Sequence, residues 1–498
     1  MIAKAEIPLS PYMDLYDIVV PQDHELRKIK SLVDFSFVED MLRDAYTTDN
    51  GRPAYPPVMM FKYLLLKRIY ELSDRDLVKR ALSDMAFKYF LDLSPEENVI
   101  DDTTLTKFRK LRLKDESVMD ELVKQSVKIA LENGLNLSGT LIVDSTHTKA
   151  RYGPKSAREY LLELCKNLRK KVYSIDGSYH DKMPSKPDHK QIGQYEDVID
   201  YCKKVISVVK DDDKLSAYIN IKENINLLEE VIDDVNEQLI LSKDEDARIG
   251  HKSADSAFFG YKSHIAMTPE RIITTVTVTS GEKDDGKQLE SLVDKMNDNG
   301  VKVENIVGDG AYSEPNNITY ANDHNIKLSA KLSNTVLNGN KKKPLDDQFT
   351  YNKDAKMYVC PEGHMAIRKY VSGKNDPDKP LRESYFFDIE KCKVCPLRDK
   401  CGYKEGSRSK SYNVTVKMSK LHEDHQANQE SDEYKTLARE RYKIEVKNAE
   451  LKNNYGYDEC AYAGLHGMTL QAGVSVFVVN IKRILKLLEE KNDNKEEK

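Results

Sequence analysis

The stretch Thr140-Leu-Ile-Val-Asp144-Ser-Thr-His-Thr-Lys149 constrains the fold most. An apolar run of that length reads as a buried strand. A buried strand does not ordinarily finish on an unpaired charge, because desolvating a carboxylate is costly. Asp144 is therefore expected at a strand end, facing a cleft or holding a cation; an ordinary strand-to-loop aspartate is the plainer alternative. The chain repeats the pattern in Val303-Glu-Asn-Ile-Val-Gly-Asp309-Gly-Ala-Tyr312, a second short strand running into an acidic turn. Between the two, residues 258–266 and 272–279, joined by Thr268-Pro-Glu-Arg271, read as an antiparallel hairpin with a β-branched second arm. Residues 284–299 read as a helix, with Leu289, Leu292, Val293 and Met296 at helical spacing and Gly300 as its stop. Lys327-Leu-Ser-Ala-Lys is a further candidate strand.

With 498 residues the chain is long enough for more than one domain. Apolar residues make up 39% of it, yet a mean hydropathy of -0.63 implies a very polar surface. A net charge of -5 means that any nucleic-acid-binding charge must be local. No uniformly apolar run approaches the ~18 residues a membrane span needs, and the first residues lack a signal-peptide core. Seven cysteines, four clustered late, suit a reducing compartment better than a disulfide framework. The expectation is a cytoplasmic, nucleoid-associated protein.

Residues 1–138 read as helical. Pro56-Pro57 opens one helix, Ser73 and Asp102 are candidate caps, and Thr103-Thr-Leu-Thr-Lys-Phe-Arg-Lys-Leu-Arg112 carries Lys107, Arg109, Lys110 and Arg112. That series is either a helix-turn-helix-like DNA reader or a bundle with one solvated basic helix. Residues 155–250 hold three amphipathic helical patterns and form a helical insertion. Residues 336–430 follow a polar run, Asn338-Gly-Asn-Lys-Lys-Lys343, and contain Cys360, Cys392, Cys395 and Cys401. Two thiols separated by two residues are the usual half of a tetrahedral zinc site. Cys360 with Cys401, or with His364, is a less regular other half, so structural zinc and free or redox-active thiols both stand. Residues 434–453 read as one helix carrying Arg441, Glu445 and Lys452 on a shared stripe, which is either functional or a solvated charged face. An apolar closing helix from Gln471 and a charged, disordered tail over 491–498 complete the chain.

Three carboxylates thus stand in separate elements: Asp144, Asp309 and Glu445. The element order is that of an α/β, ribonuclease-H-like mixed sheet, whose first and fourth strands can be neighbours. Converging carboxylates cannot all stay ionised without cations, and oxygen donors select Mg²⁺ or Mn²⁺. Two such ions about 3.5–4 Å apart would clamp a phosphodiester.

These residues resemble bacterial insertion-sequence transposases of the DDE class, in the branch whose third motif is Tyr, two residues, Arg, three residues, Glu, six residues, Lys. Arg441, Glu445 and Lys452 match its last three positions; Ala438 stands where the tyrosine belongs, with Tyr434 or Tyr442 as substitutes. Val-Asp144-Ser-Thr, Gly-Asp309-Gly-Ala-Tyr312, Phe259-Gly-Tyr-Lys-Ser-His264 and the 103–109 segment resemble other family segments, and the likeness is weakest over 155–245. The resemblance implies a ribonuclease-H-like catalytic core over 139–335 and 431–490, interrupted by the helical and the Cys-containing insertions, behind a helical N-terminal DNA-binding domain. It implies two ions held by Asp144, Asp309 and Glu445, cleavage at terminal inverted repeats, and 3′-hydroxyl attack on target DNA. Arg441 and Lys452 would position phosphates, and synapsis of two ends implies a homodimer or larger assembly on double-stranded DNA. Asp285 and His264 are accessory candidates. A nuclease that cleaves without joining strands, or a domesticated non-catalytic DNA-binding protein, are the alternatives.

Overall fold

The computed structural model describes residues 10–46, 54–115, 117–187, 196–236, 242–253, 256–332, 345, 348–374, 376, 379–401, 403 and 406–496. The polar run Asn338–Lys343 lies outside them. After short helices near the start come α1 (Pro57–Ile69), α2 (Asp74–Ser83), α3 (Asp102–Arg112) and α4 (Ser117–Glu132). Proline at its first position starts α1, which is apolar nearly all round and correspondingly buried. Ser73 Oγ accepts from Asp76 N to cap α2. The cap position of α3 is Asp101, so Asp102 falls inside the first turn.

The central sheet contains β1 (Thr140–Lys149), β2 (Arg248–Ser253), β3 (Ser256–Met267), β4 (Ile273–Ser280), β5 (Asn305–Val307) and β6 (Lys327–Ser329). Its order is β2-β3-β1-β5-β6, with β4 also on β3. β1 is antiparallel to β3 and parallel to β5, so the strands leading to Asp144 and Asp309 are neighbours. Asp144 is not at the end of β1. The strand continues to Lys149 because β3 pairs with it throughout, from Ile142↔Met267 to Lys149↔Gly260. Only the β5 pairing stops early, at Ile142↔Val307.

Helices α5 (Ala157–Ile175), α6 (Glu196–Lys210) and α7 (Ile219–Asn236) form the first insertion around a core of their own. Helices α8 (Leu289–Asp298) and α9 (Pro315–Asp323) flank β5 in the chain. The second insertion contains β7 (Thr350–Asn352), β8 (Met357–Val359), β9 (Arg368–Ser372), β10 (Leu381–Phe387), α10 (Ile389–Lys393) and β11 (Lys410–Lys417). It too has a separate, much smaller core.

The chain returns through α11 (Lys420–Asn428), α12 (Asp432–Arg439), α13 (Tyr442–Asn454) and α14 (Leu465–Glu496). The single helix expected over 434–453 is two, broken at Glu440-Arg441: Tyr434 is buried before the break, Ile444 and Leu451 after it. Instead of a loose tail from 491, α14 continues to Glu496, and Lys491 Nζ donates to Gly134 O at 2.8 Å. One hydrophobic core joins the N-terminal helices, the sheet and α14, so residue 138 marks no break in packing. Buried Asn480 stitches it: its side chain bonds Ile273 N (2.9 Å), Ile273 O (2.7 Å) and Ser126 Oγ (2.8 Å). Among the described residues, Leu465–Asp493 is long and apolar enough to cross a membrane, but 78% of its most apolar window is buried in the protein.

Candidate active site

The parallel register Ile142↔Val307 puts Asp144 and Asp309 level, each two residues past the last pair. The chain then turns at Gly308, where a Cβ would come within 2.8 Å of the Tyr312 ring and 3.0 Å of Val143, so only glycine lets the acidic turn lie this close to β1. Asp309 accepts from Ala311 N at 2.9 Å, which orders that turn. A third carboxylate joins from the segment between β4 and α8. Asp285 is held by Lys262 Nζ at 3.1 Å and lies 3.5 Å from His264 Nδ1. Gly286 packs so tightly on Ala311 that a Cβ would meet its carbonyl at 2.4 Å.

Helix α13 closes the site. Ile444, Lys447 and Leu451 face inward, with Lys447 paired to Glu450 at 2.7 Å. Beside them Asn448 Nδ2 donates to Asp144 Oδ2 at 2.9 Å, and Lys452 Nζ meets His147 Nε2 at 3.3 Å. Glu445 is one turn before Asn448; it is 57% exposed and pairs with Arg441 at 3.3 Å. Tyr434 is buried near β6, with Ser329 Oγ donating to its carbonyl at 3.4 Å, whereas Tyr442 is 56% exposed at the start of α13.

The electrostatics follow from this crowding. Burial pushes the Asp144 carboxyl up to about 6; Asp309 and Asp285 push the same way, against the Ser145 backbone N–H and Arg441. Burial pushes His264 down to about 4 although Asp285 pulls it up. Burial and the Asp285, Asp144 and Asp309 charges raise the Tyr312 hydroxyl well above its usual range. Tyr312 OH, Asn448 Oδ1 and Arg441 Nε are buried atoms without a hydrogen-bond partner. The carboxylates and the unpartnered Tyr312 and Asn448 oxygens fit a hard divalent cation by donor chemistry. Among the described residues, however, no three acidic, histidine or cysteine side chains are gathered into a group that would hold a metal as they stand.

The remaining expected residues divide. Arg109 forms two bonds to Asp74, one at 3.2 Å, and covers the Tyr462 ring; Arg112 donates to Ala45 O and covers Tyr46. Both cations therefore serve internal packing, while Lys107 and Lys110 are exposed on α3. Cys360, Cys392, Cys395 and Cys401 gather in the second insertion. Asn448 was not singled out by sequence, though its i+3 spacing from Glu445 put it on the same face.

The class this defines is a mixed-sheet α/β protein with acidic residues at adjacent strands and a cationic helix laid over them. Two families match the chain: a transposase domain of the DUF772 type over residues 14–111 and a transposase DDE domain over residues 359–485. Together the two matches indicate an insertion-sequence transposase of the DDE class. The second match takes in the four clustered cysteines, α13 and most of α14, and does not reach β1 or β5. An uncharacterized protein, ORF8 in the nfe locus of Rhizobium meliloti, is 28% identical over 159 residues, covering 31% of this chain and 75% of that protein. No solved structure matches.

Proposed function

We propose that this transposase binds the terminal inverted repeats of its element and catalyses metal-dependent strand cleavage followed by attack of the freed 3′-hydroxyl on target DNA. The observation that carries the reading is the level placement of Asp144 and Asp309 on parallel neighbours, with the Glu445 helix bonded to Asp144 through Asn448. The strand order also supports a ribonuclease-H-like core. Asp144, Asp309 and Glu445 are the residues that would hold Mg²⁺ or Mn²⁺. Bound there, two ions would supply nucleophile activation and charge neutralisation in phosphoryl transfer. Asn448 orients the Asp144 carboxylate through its Nδ2. Arg441 and Lys452 offer cations to backbone phosphates, and the exposed Lys107 and Lys110 add contacts on the N-terminal side. Two element ends call for at least two subunits.

The test is cleavage of DNA carrying the element ends. Asp144→Asn, Asp309→Asn and Glu445→Gln should each abolish Mg²⁺-dependent nicking while leaving end binding intact. A variant that still cleaves removes its residue from the site, and cleavage by all three overturns the reading. Products joined to a target plasmid separate a transposase from a nuclease that stops after cutting.

A further inference from the structure

The cysteine module poses a stability problem that its own core does not solve. Among the described residues its core cluster holds just four buried apolar side chains, Phe349, Ala366, Tyr385 and Phe387, with a three-stranded and a two-stranded sheet around them. A unit this small ordinarily needs a disulfide or a metal in addition to burial. All seven cysteines of the chain are free thiols. The module's four come from three separate segments, yet they line one small cavity of about 30 Å³.

The segments are shaped for this meeting. Cys360-Pro-Glu-Gly363 is a tight turn: Gly363 N donates to Cys360 O and Cys360 N to His364 O, both at 2.8 Å, with Gly363 at φ +83°. Cys392 and Cys395 follow on α10 and its C-terminal turn, where Cys392 N donates to Asp388 O at 3.2 Å. Cys401 N donates to Leu397 O at 2.8 Å. Burial, with Cys401, Cys360 and Cys395 as neighbours, raises the Cys392 thiol. Lys391, Arg398 and Lys410 line the same cavity, and Lys410 Nζ donates to Cys401 O.

We propose that Cys360, Cys392, Cys395 and Cys401 form a structural, four-thiolate zinc site that holds this module together. Binding releases four thiol protons as Zn²⁺ takes four thiolates, leaving a net charge of two minus that the three lining cations offset. The sulfurs must draw inward to share one ion, since no metal-holding group is preformed among the described residues. The second half of the site is thereby Cys360 with Cys401; His364 lines the same cavity, but the four thiolates already fill the four tetrahedral positions. The assignment does not depend on the DNA chemistry proposed above.

The full-length protein, expressed with zinc and purified without chelator, should carry about one zinc per chain by elemental analysis. Cys392→Ser and Cys395→Ser should each lower that to under half, whereas Cys165→Ala, in the other insertion, should not. Cobalt(II) exchanged into the wild-type chain should give the intense visible absorption of tetrahedral thiolate coordination, which needs no variant to fold. Chelator should expose the module to limited proteolysis. Less than half an equivalent of zinc in the wild-type protein, or weak octahedral-type cobalt absorption, overturns the proposal. Fewer than seven titratable thiols in unfolded, unreduced protein would replace it with a disulfide. An unchanged metal content in His364→Ala separates four cysteines from a histidine-containing set.

Discussion

Replacing Asp144 by Asn should make the metal-free protein more stable while destroying its activity. In the fold the Asp144 carboxyl is raised from 3.8 to about 6 by burial and by Asp309 and Asp285. A raised pKa means that the folded state binds this proton more tightly than the unfolded chain. The group's contribution to stability is then full below about 3.8 and is lost as pH climbs through about 6. At ~1.4 kcal/mol per pH unit the climb corresponds to at most about 3 kcal/mol. Relaxation and water penetration reduce this, so the expected gain for Asp144→Asn at pH 7.5 in EDTA is roughly 1–2 kcal/mol, or a few degrees in Tm. At pH 4.5 the gain should shrink to about a third, because the folded group is then protonated while the unfolded chain still ionises it. Mg²⁺ should raise the wild-type Tm at pH 7.5, more than at pH 4.5, and should leave the variant unmoved. The amide can still accept the Asn448 bond, so the comparison isolates charge. Thermal unfolding with and without Mg²⁺ at the two pH values reads all of this. A variant less stable than wild type at pH 7.5 in EDTA, or one stabilised by Mg²⁺ as strongly as wild type, refutes the argument.

Other consequences are as direct. Asn448→Ala should slow cleavage by about 10–100-fold, the usual loss when a partner orienting a ligand is removed, with end binding kept; a loss under about threefold at every Mg²⁺ concentration would show that the 2.9 Å bond does not orient Asp144. Lys107→Ala and Lys110→Ala should weaken DNA binding and each lower the salt slope by about 1, without changing Tm. Arg109→Ala should instead destabilise the fold by roughly 1–2 kcal/mol, since Asp74 loses a charged two-bond partner but keeps its ion pair with Lys67; equal stability would return Arg109 to the DNA-facing set. Asn480→Leu should cost about 2–4 kcal/mol in denaturant unfolding, because Ile273 N and O lose buried partners.

The sequence told most where local pattern and tertiary role coincide. Asp144 and Asp309 each follow an apolar run, and two adjacent parallel strands suffice to set them level. It told least where a partner is remote. The basic character of α3 was legible, but the engagement of Arg109 by Asp74, 35 residues earlier, was not. Strand β2 was hidden by its composition, Arg-Ile-Gly-His-Lys-Ser, and by an exposed Ile249; it exists because β3 offers an edge. The break before α13 has no Gly or Pro to mark it. Packing imposes it: Tyr434 is buried near β6 and Ile444 in the main core, and one straight helix cannot do both.

That break also bears on how the third carboxylate reaches the other two. Because the chain bends at Glu440-Arg441, α13 is free to lie along β1, with Asn448 at Asp144 and Lys452 at His147. The helix is therefore already docked, and Glu445 is one turn from a side chain that touches Asp144. Its carboxylate is engaged in the ion pair with Arg441. Glu445 is 57% exposed and Arg441 38%, and a pair in that setting is worth about 0–1 kcal/mol. A phosphate drawn to Arg441 would compete for the same guanidinium and free the Glu445 carboxylate. If Glu445 joins the two aspartates on a shared ion, as proposed above, releasing that weak pair is the first step it requires.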